Sequence, residues 1–306
     1  MNRPAGGTSS NIKMMKNAVQ LAAWLLIAVS VGWAAERYPV SGMVLKIDKE
    51  RQILLVSHDR ISGYMDAMVM PFHVREPKML EGLQPGMKID FTLVVGEEAS
   101  HADEIHIKRF DSIEKDPLLV RRLQLLDSVL TPKDARAKAV AVGQPMPDFA
   151  LTDQSGRRVA LSQFAGKVVA LTFIYTRCPL PDYCLRLSNN FARVHKRFRS
   201  RMGRDLVLLT VTIDPQHDQP AVLTDYARIW KADVETWRFL TGSVSDVRRV
   251  CGLFAMDFWP EEGLLTHSLR TAVVDRRGKL AANMTGNDFS VQQLGDLVEA
   301  VMDQAP

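Results

Sequence analysis

Cysteine is scarce: there are 3 in 306 residues. Three thiols are too few for the disulfide frameworks that hold small exported domains together. Any work they do is therefore local. Cys178 and Cys184 are close partners in the chain, and Cys251 is left over. Excess charge is also lacking. The net charge is +4, and residues 1–35 hold Arg3, Lys13 and Lys16 and no acid, which leaves +1 for the remainder. So neutral a body offers no electrostatic basis for binding nucleic acid.

Long apolar runs are confined to one place. The stretch Ala18–Trp33 follows a basic segment ending at Lys16 and precedes Ala34-Ala35. That order is the pattern of an export signal. The run is short for a membrane span, which favours a cleaved signal over an uncleaved anchor. No cysteine follows the run, which argues against lipid attachment there. In both cases the body is expected outside the cytoplasmic membrane, in the periplasm or on the membrane's outer face. Membrane association would then be through the N-terminus.

Beyond the signal, the first stretch lacks a convincing helix. Tyr38–Asp48 and Arg51–His58 alternate as strands do, with Asp48-Lys49-Glu50 as a turn. The region Ile61–Val74 follows, then the turn Gly82–Met87, the strand Lys88–Val95 and a further strand over Glu104–Phe110. Five short strands predict a small all-β barrel over 38–110. Residues 111–141 read as a charged linker, with Leu118, Leu119, Leu123 and Leu126 at helical spacing. Residues 142–306 alternate differently. A hairpin over Phe149–Leu151 and Arg158–Leu161 precedes the run of apolar and β-branched residues that begins at Val168 and reads as a buried strand. A helix follows with Leu187, Phe191, Val194 and Phe198 as its buried stripe. The order continues with a strand at Leu206–Ile213, a helix at Ala221–Trp230, a strand at Trp237–Thr241 and a helix at Val244–Phe254. A hairpin formed by Arg270–Asp275 and Leu280–Met284 precedes a last helix over Ser290–Met302, with Ser290 as N-cap. That order predicts an α/β thioredoxin-like C-terminal domain. Arg193, Lys196, Arg197 and Arg201 read as a solvated face, with an anionic lipid or acidic partner as the alternative.

The apolar strand ends at Cys178, and Cys184 follows in Cys-Pro-Leu-Pro-Asp-Tyr-Cys. Ligands and chemistry collect at the C-terminal ends of such strands. A helix N-terminus there favours thiolate, which serves equally as nucleophile or metal ligand. Redox thioredoxins place two residues between their cysteines, whereas five stand here. Peroxiredoxins need Thr and Pro where this chain has Tyr175 and Leu171. Both standard redox enzymes are disfavoured, although thiol–disulfide exchange by Cys178 and Cys184 stays open. His267 is the best-placed third ligand, because in a thioredoxin fold the loop before the Arg270–Asp275 strand faces the cysteine loop. Two thiolates and an imidazole suit Cu(I), Cu(II) or Zn(II). Cys251 lies on an apolar helix and reads as a buried, inert thiol.

Thr172–Cys178-Pro…Cys184, Thr212-Ile-Asp-Pro215…Asp218-Gln-Pro220 and His267-Ser-Leu…Val274-Asp275 together resemble the Sco/SenC family. The resemblance runs from about Val142 to the C-terminus. It implies copper held by Cys178, Cys184 and His267. It also implies delivery of copper to the dinuclear copper centre of cytochrome c oxidase, or reduction of that centre's cysteines. The commoner family pattern has three residues between the cysteines and proline after the second; here the gap is five and Leu185 follows.

Met68 and Met70 are two apart and share a strand face. Thioethers are soft donors that select Cu(I), although methionine also fills small cores. The stretch from Ser57-His58 to Met65-Asp-Ala-Met68-Val-Met70-Pro-Phe72 resembles the CusF-like copper-binding domains. These are OB-type barrels that hold Cu(I) by one His and two Met beneath a Trp. The resemblance implies His58, Met68 and Met70 as ligands, with Met65 near the place of the absent Trp. The whole chain thus reads as an exported copper metallochaperone rather than an enzyme. Its expected partner is the copper-centre subunit of cytochrome c oxidase or another copper acceptor. A thiol–disulfide oxidoreductase and a copper-resistance binder are the alternatives.

Overall fold

The computed structural model describes residues 35–304 apart from 98, 111–136 and 262–263. The export signal and the linker helix read from the sequence lie outside the described residues. Among the described residues no helix is long and apolar enough to cross a membrane.

The N-terminal body is one antiparallel sheet of five strands: β1 (Glu36–Asp48), β2 (Ile53–His58), β3 (Met68–His73), β4 (Lys88–Val95) and β5 (Ser100–Ile107). Their order is β3-β2-β1-β4-β5. The long strand β1 pairs with β4 through its first half, Glu36–Met43, and with β2 through its second half, Gly42–Asp48. A bulge at Val44/Lys46 bends it between the two partners. The edges then meet where Val74 pairs with Ala102, which closes the barrel. The last strand starts earlier than the alternation indicated, at Ser100 rather than Glu104. Gly42 lies opposite His58, where a Cβ would collide with Val56 and the backbone of Ser57. Only glycine lets β1 pass that close.

The C-terminal body is a seven-stranded mixed sheet of β6 (Ala150–Asp153), β7 (Arg158–Ala160), β8 (Val168–Ile174), β9 (Leu206–Thr212), β10 (Trp237–Thr241), β13 (Arg270–Val274) and β14 (Leu280–Thr285). The order is β14-β13-β8-β9-β10-β6-β7, with β8, β9 and β10 parallel. Every residue of β8 and β9 is buried, as expected of strands covered on both faces. The helices are α1 (Arg186–Arg197), α2 (Pro220–Ile229), α3 (Val244–Leu253) and α4 (Val291–Met302). The core order β8-α1-β9 followed by β13-β14-α4 is thioredoxin-like. Ser290 caps α4 in a full capping box with Gln293.

Three local expectations are corrected. A separate hairpin, β11 (Phe258–Glu261) and β12 (Leu264–His267), precedes β13. His267 is therefore the last residue of a strand paired with Phe258, not part of a loop. The four-residue strands contain Pro260 and are too short for alternation to register. Cys184 lies in a π-type turn, Pro181–Leu185, that runs directly into α1. A π turn takes in more chain per turn than an α turn, which accommodates the long gap between the cysteines. The basic face of α1 is only partly solvated. Arg193 and Lys196 are exposed, but Arg197 pairs with Asp296 at 2.7 Å and Glu299 at 2.6 Å. Arg201 pairs with Asp303 at 3.3 Å and Asp205 at 3.6 Å. Arg197 ties the end of α1 to α4, and Arg201 ties the turn beyond α1 to the residue that ends α4.

Candidate metal centre

The end of β8 is fixed before the cysteines begin. Asp218 is completely buried and accepts three hydrogen bonds. The Thr176 amide donates at 3.0 Å and the Thr176 hydroxyl at 2.5 Å, and the Thr212 hydroxyl donates at 2.5 Å. Arg177 Nε donates to Asp214 at 2.7 Å. Thus the ends of β8 and β9, adjacent and parallel, converge on one carboxylate that holds the start of the cysteine loop. The Cys178 amide donates to the Tyr175 carbonyl at 3.3 Å, and the Asn287 side chain donates to the Asp182 carbonyl within the cysteine loop.

This frame brings Cys178, Cys184 and His267 together. Cys178 is half-buried and its side chain contacts both of the others. Cys184 is buried. The hydrogen bond from Cys184, with a second from His267, holds Cys178 at a pKa of about 4, well below the ordinary thiol value, against the opposing effect of burial. The same Cys178 contact, together with burial, raises Cys184. One thiolate is therefore shared across the pair, with its charge on Cys178. Among the described residues no three His, Cys, Asp or Glu side chains already surround one metal-sized point. Cys178 is the member common to both contacts.

Both candidate histidines are oriented in the same way. His267 Nδ1 lies 2.7 Å from the Ser268 carbonyl, and His58 Nδ1 lies 2.8 Å from the Asp59 carbonyl. A carbonyl only accepts, so each Nδ1 carries a proton, and Nε2 is the ring nitrogen left to face another group. A metal-binding imidazole is held in the same way, with one nitrogen tied to a carbonyl and the other turned away from it. His267 is 9% exposed, with Tyr175 and Tyr183 against it edge-on at 5.7 and 6.5 Å.

In the barrel, Met68 lies directly opposite His58, and Met70 opposite Val56. Opposed residues share a face, so His58, Met68 and Met70 all point to the side occupied by Val56 and Phe72 in the core. His58 is 1% exposed, and its Nε2 is buried without a hydrogen-bond partner. A buried polar atom so placed costs stability unless something binds it. Met68 is 45% exposed and Met70 partly buried, so the thioethers lie at the barrel rim. Met65 is partly buried against the same core, in the β2–β3 connection where it bridges to Ile61.

Cys251 is fully enclosed, and burial pushes its thiol above the ordinary range. Two further residues shape the site in ways no local pattern marks. Asp218 stands in the Thr212…Pro220 motif with nothing beside it to show that it braces the cysteine loop. Tyr175 is buried, and its hydroxyl contacts the Cys178 sulfur and the Leu265 amide, tying the cysteine loop to the strand that carries His267.

The thiolate has a measurable consequence. A depressed pKa keeps Cys178 ionised above the ordinary thiol range and far below it, until pH falls through about 4. Its alkylation by iodoacetamide should vary little from about pH 8 to pH 6, where an ordinary thiol slows about tenfold per pH unit. Mass spectrometry should locate the adduct on Cys178, with Cys251 untouched. A tenfold fall per unit across that range would refute the shared thiolate.

Residues 138–303 match the family model SCO1/SenC, and residues 37–106 match the one described as copper binding periplasmic protein CusF. Among curated relatives, an SCO2-like protein of Rickettsia felis is 27% identical over 171 residues, covering 52% of this chain and 80% of the relative. Protein sco1 of Schizosaccharomyces pombe is 25% identical over 154 residues, covering 46% and 57%. The SCO1 protein homolog of Bacillus subtilis is 27% identical over 94 residues, covering 31% and 47%. The chain thus spans about half the length of the last two. Among solved structures, yeast Sco1 with copper bound is 25% identical at a TM-score of 0.45, covering 53% of this chain and 91% of that one. Arabidopsis thaliana ScoI with copper bound is 22% identical at a TM-score of 0.46, covering 53% and 100%. The SCO1/SenC match takes in more than half of the 306 residues and contains β8, the cysteine turn and β12; this chain belongs to the SCO1/SenC family.

Proposed function

We propose that this chain is an exported copper carrier with two soft-metal sites. In this reading the barrel, over 38–110, holds Cu(I) with His58, Met68 and Met70, with Met65 as a further sulfur. The thioredoxin-like domain, over 142–306, holds copper with Cys178, Cys184 and His267. Copper is cargo that passes to a partner by exchange of one soft ligand for another. The acceptor is a copper-centre subunit of cytochrome c oxidase or another copper-accepting protein. The N-terminal segment directs the chain out of the cytoplasm, and it is removed or retained as an anchor.

The observation that carries this reading is the contact of one thiolate, Cys178, with both Cys184 and His267. The donor types support copper in particular. Thiolates, thioethers and imidazoles are soft to borderline, and thioethers do not compete for hard ions. The bare, buried Nε2 of His58 supports the barrel site independently.

A second reading rests on the same pair of thiols. An ionised Cys178 beside a neutral Cys184 is also the arrangement of an attacking and a resolving thiol, so the protein could keep a partner's cysteines reduced.

Anaerobic titration with Cu(I) against a chromophoric chelator tests the proposal. The reduced protein should take up two separable equivalents. Cys178→Ser should remove one, and Met68→Ile should weaken the other by at least about tenfold. A single equivalent indifferent to Met68→Ile would remove the barrel from the scheme.

A further inference from the structure

His58 stands between two residues that leave the barrel. Strand alternation turns His58 toward the core and turns Ser57 toward the C-terminal body. The fully buried Ser57 hydroxyl donates to Asp296 of α4 at 2.7 Å. Asp296 also pairs with Arg197 at 2.7 Å. The Gln293 amide donates to the Asp59 carboxylate at 3.0 Å and to the Ser57 carbonyl at 3.4 Å. Its side-chain oxygen accepts from Lys88 of β4 at 3.0 Å, and Lys88 reaches Asp59 at 3.4 Å.

Apolar packing surrounds these polar groups. Met43 and Leu45 of β1 are buried in the core of the C-terminal body rather than in the barrel. Gly86 lies so close to Met284 and Ala282 that a Cβ there would collide with Met284. In this seam Ser57, Gln293 and Asp296 are all buried and all paired. That is the pattern of a packed interior, not of a loose tether.

We infer that the first turns of α4 form a positioning element for the barrel's copper site. The inference rests on the proposed Cu(I) site in the barrel. The connection is short. Gln293 and Lys88 hold the side chain of Asp59, and the carbonyl of that residue holds His58 Nδ1. The group that fixes the tautomer and angle of His58 is thus itself fixed from the other domain. The lead-in to α4 also serves the cysteine loop, because Asn287 donates to the Asp182 carbonyl. Residues 287–296 therefore brace both candidate sites.

The test uses the full chain carrying Cys178→Ser and Cys184→Ser, which leaves only the barrel to bind. Gln293→Glu retains the capping box and the contact with Lys88 but replaces the donor to Asp59 with a like charge. It should weaken Cu(I) binding by roughly five- to tenfold, within the range that changes to a ligand's hydrogen-bond partners produce, at a temperature where the variant remains folded. Linkage requires the reciprocal effect. Cu(I) loading of the same chain with Gln293 intact should slow amide hydrogen exchange in the first turn of α4. If the parent binds Cu(I) and both the Gln293→Glu affinity stays within twofold and α4 exchange is unmoved by copper, the inference fails alone. A parent that takes up no Cu(I) overturns the barrel reading and this inference with it.

Discussion

Asp218→Ala should destabilise the C-terminal domain by about 3–5 kcal/mol. The carboxylate is completely buried and accepts from the Thr176 amide and from the hydroxyls of Thr176 and Thr212. Alanine removes the acceptor from the buried Thr212 hydroxyl and from the two partly buried donors of Thr176, a fully buried unsatisfied donor costing about 1–3 kcal/mol. The loss should lower Tm by roughly 10 °C or more and shift the urea midpoint with it. The damage should also reach the site, since Thr176 is two residues from Cys178. Alkylation of Cys178 at pH 6 should slow even at temperatures where the variant remains folded. Asp218→Asn should fall between the two, because its oxygen still accepts while its amide faces a donor. A stability change below about 1 kcal/mol for alanine would mean that the carboxylate does not brace the loop.

His267→Ala should lower Cu(II) affinity by about a hundredfold or more, because a ligand is lost outright and not only its orientation. The free thiol count and the ability of Cys178 and Cys184 to form a disulfide should be retained. His267 ends the short strand β12, and its Nδ1 proton engages a neighbouring carbonyl. Alanine there therefore leaves no buried charge and should be tolerated by the fold. Competition against a Cu(II) chelator and the thiolate-to-copper absorption band report the two properties separately. This variant also divides the two readings of the site. A carrier needs the imidazole, while a thiol reductant needs only the sulfurs. Unchanged copper affinity, with full function in a copper-dependent oxidase assay, would favour the reductant.

The legible parts of this protein share one property: each depends on near neighbours in the chain. The run of apolar and β-branched residues Val168–Ile174 identifies a strand buried on both faces, and Cys178 is read just beyond its end without any knowledge of the fold. The stripe Leu187, Phe191, Val194 and Phe198 describes the buried side of α1 and its margin. Ser290 is legible as the N-cap of α4, just before its apolar stripe. Met68 and Met70 share a face because a strand has a period of two.

What was not legible depends on distant partners. Arg197 and Arg201 read as solvent-facing because their acidic partners on and after α4 lie about a hundred residues away. The hairpin that carries His267 is too short for its pattern to stand out, and it is held by pairing with Phe258 rather than by propensity. Nothing in the five-residue gap between the cysteines marks the π turn over Pro181–Leu185 that returns Cys184 to Cys178.

The sequence by itself determined most of the elements, their order and the identity of the soft donor residues, because periodicity, caps and motif spacing are encoded locally. Only the tertiary structure decided which donors meet. It aligned β8 with β9 so that Asp218 clamps the cysteine loop, and it turned β12 so that His267 reaches Cys178. It also seated the barrel on α4 through Gln293 and Asp59, which are 234 positions apart. Such contacts follow from burying two apolar faces together, and no local pattern in the chain records which faces those will be.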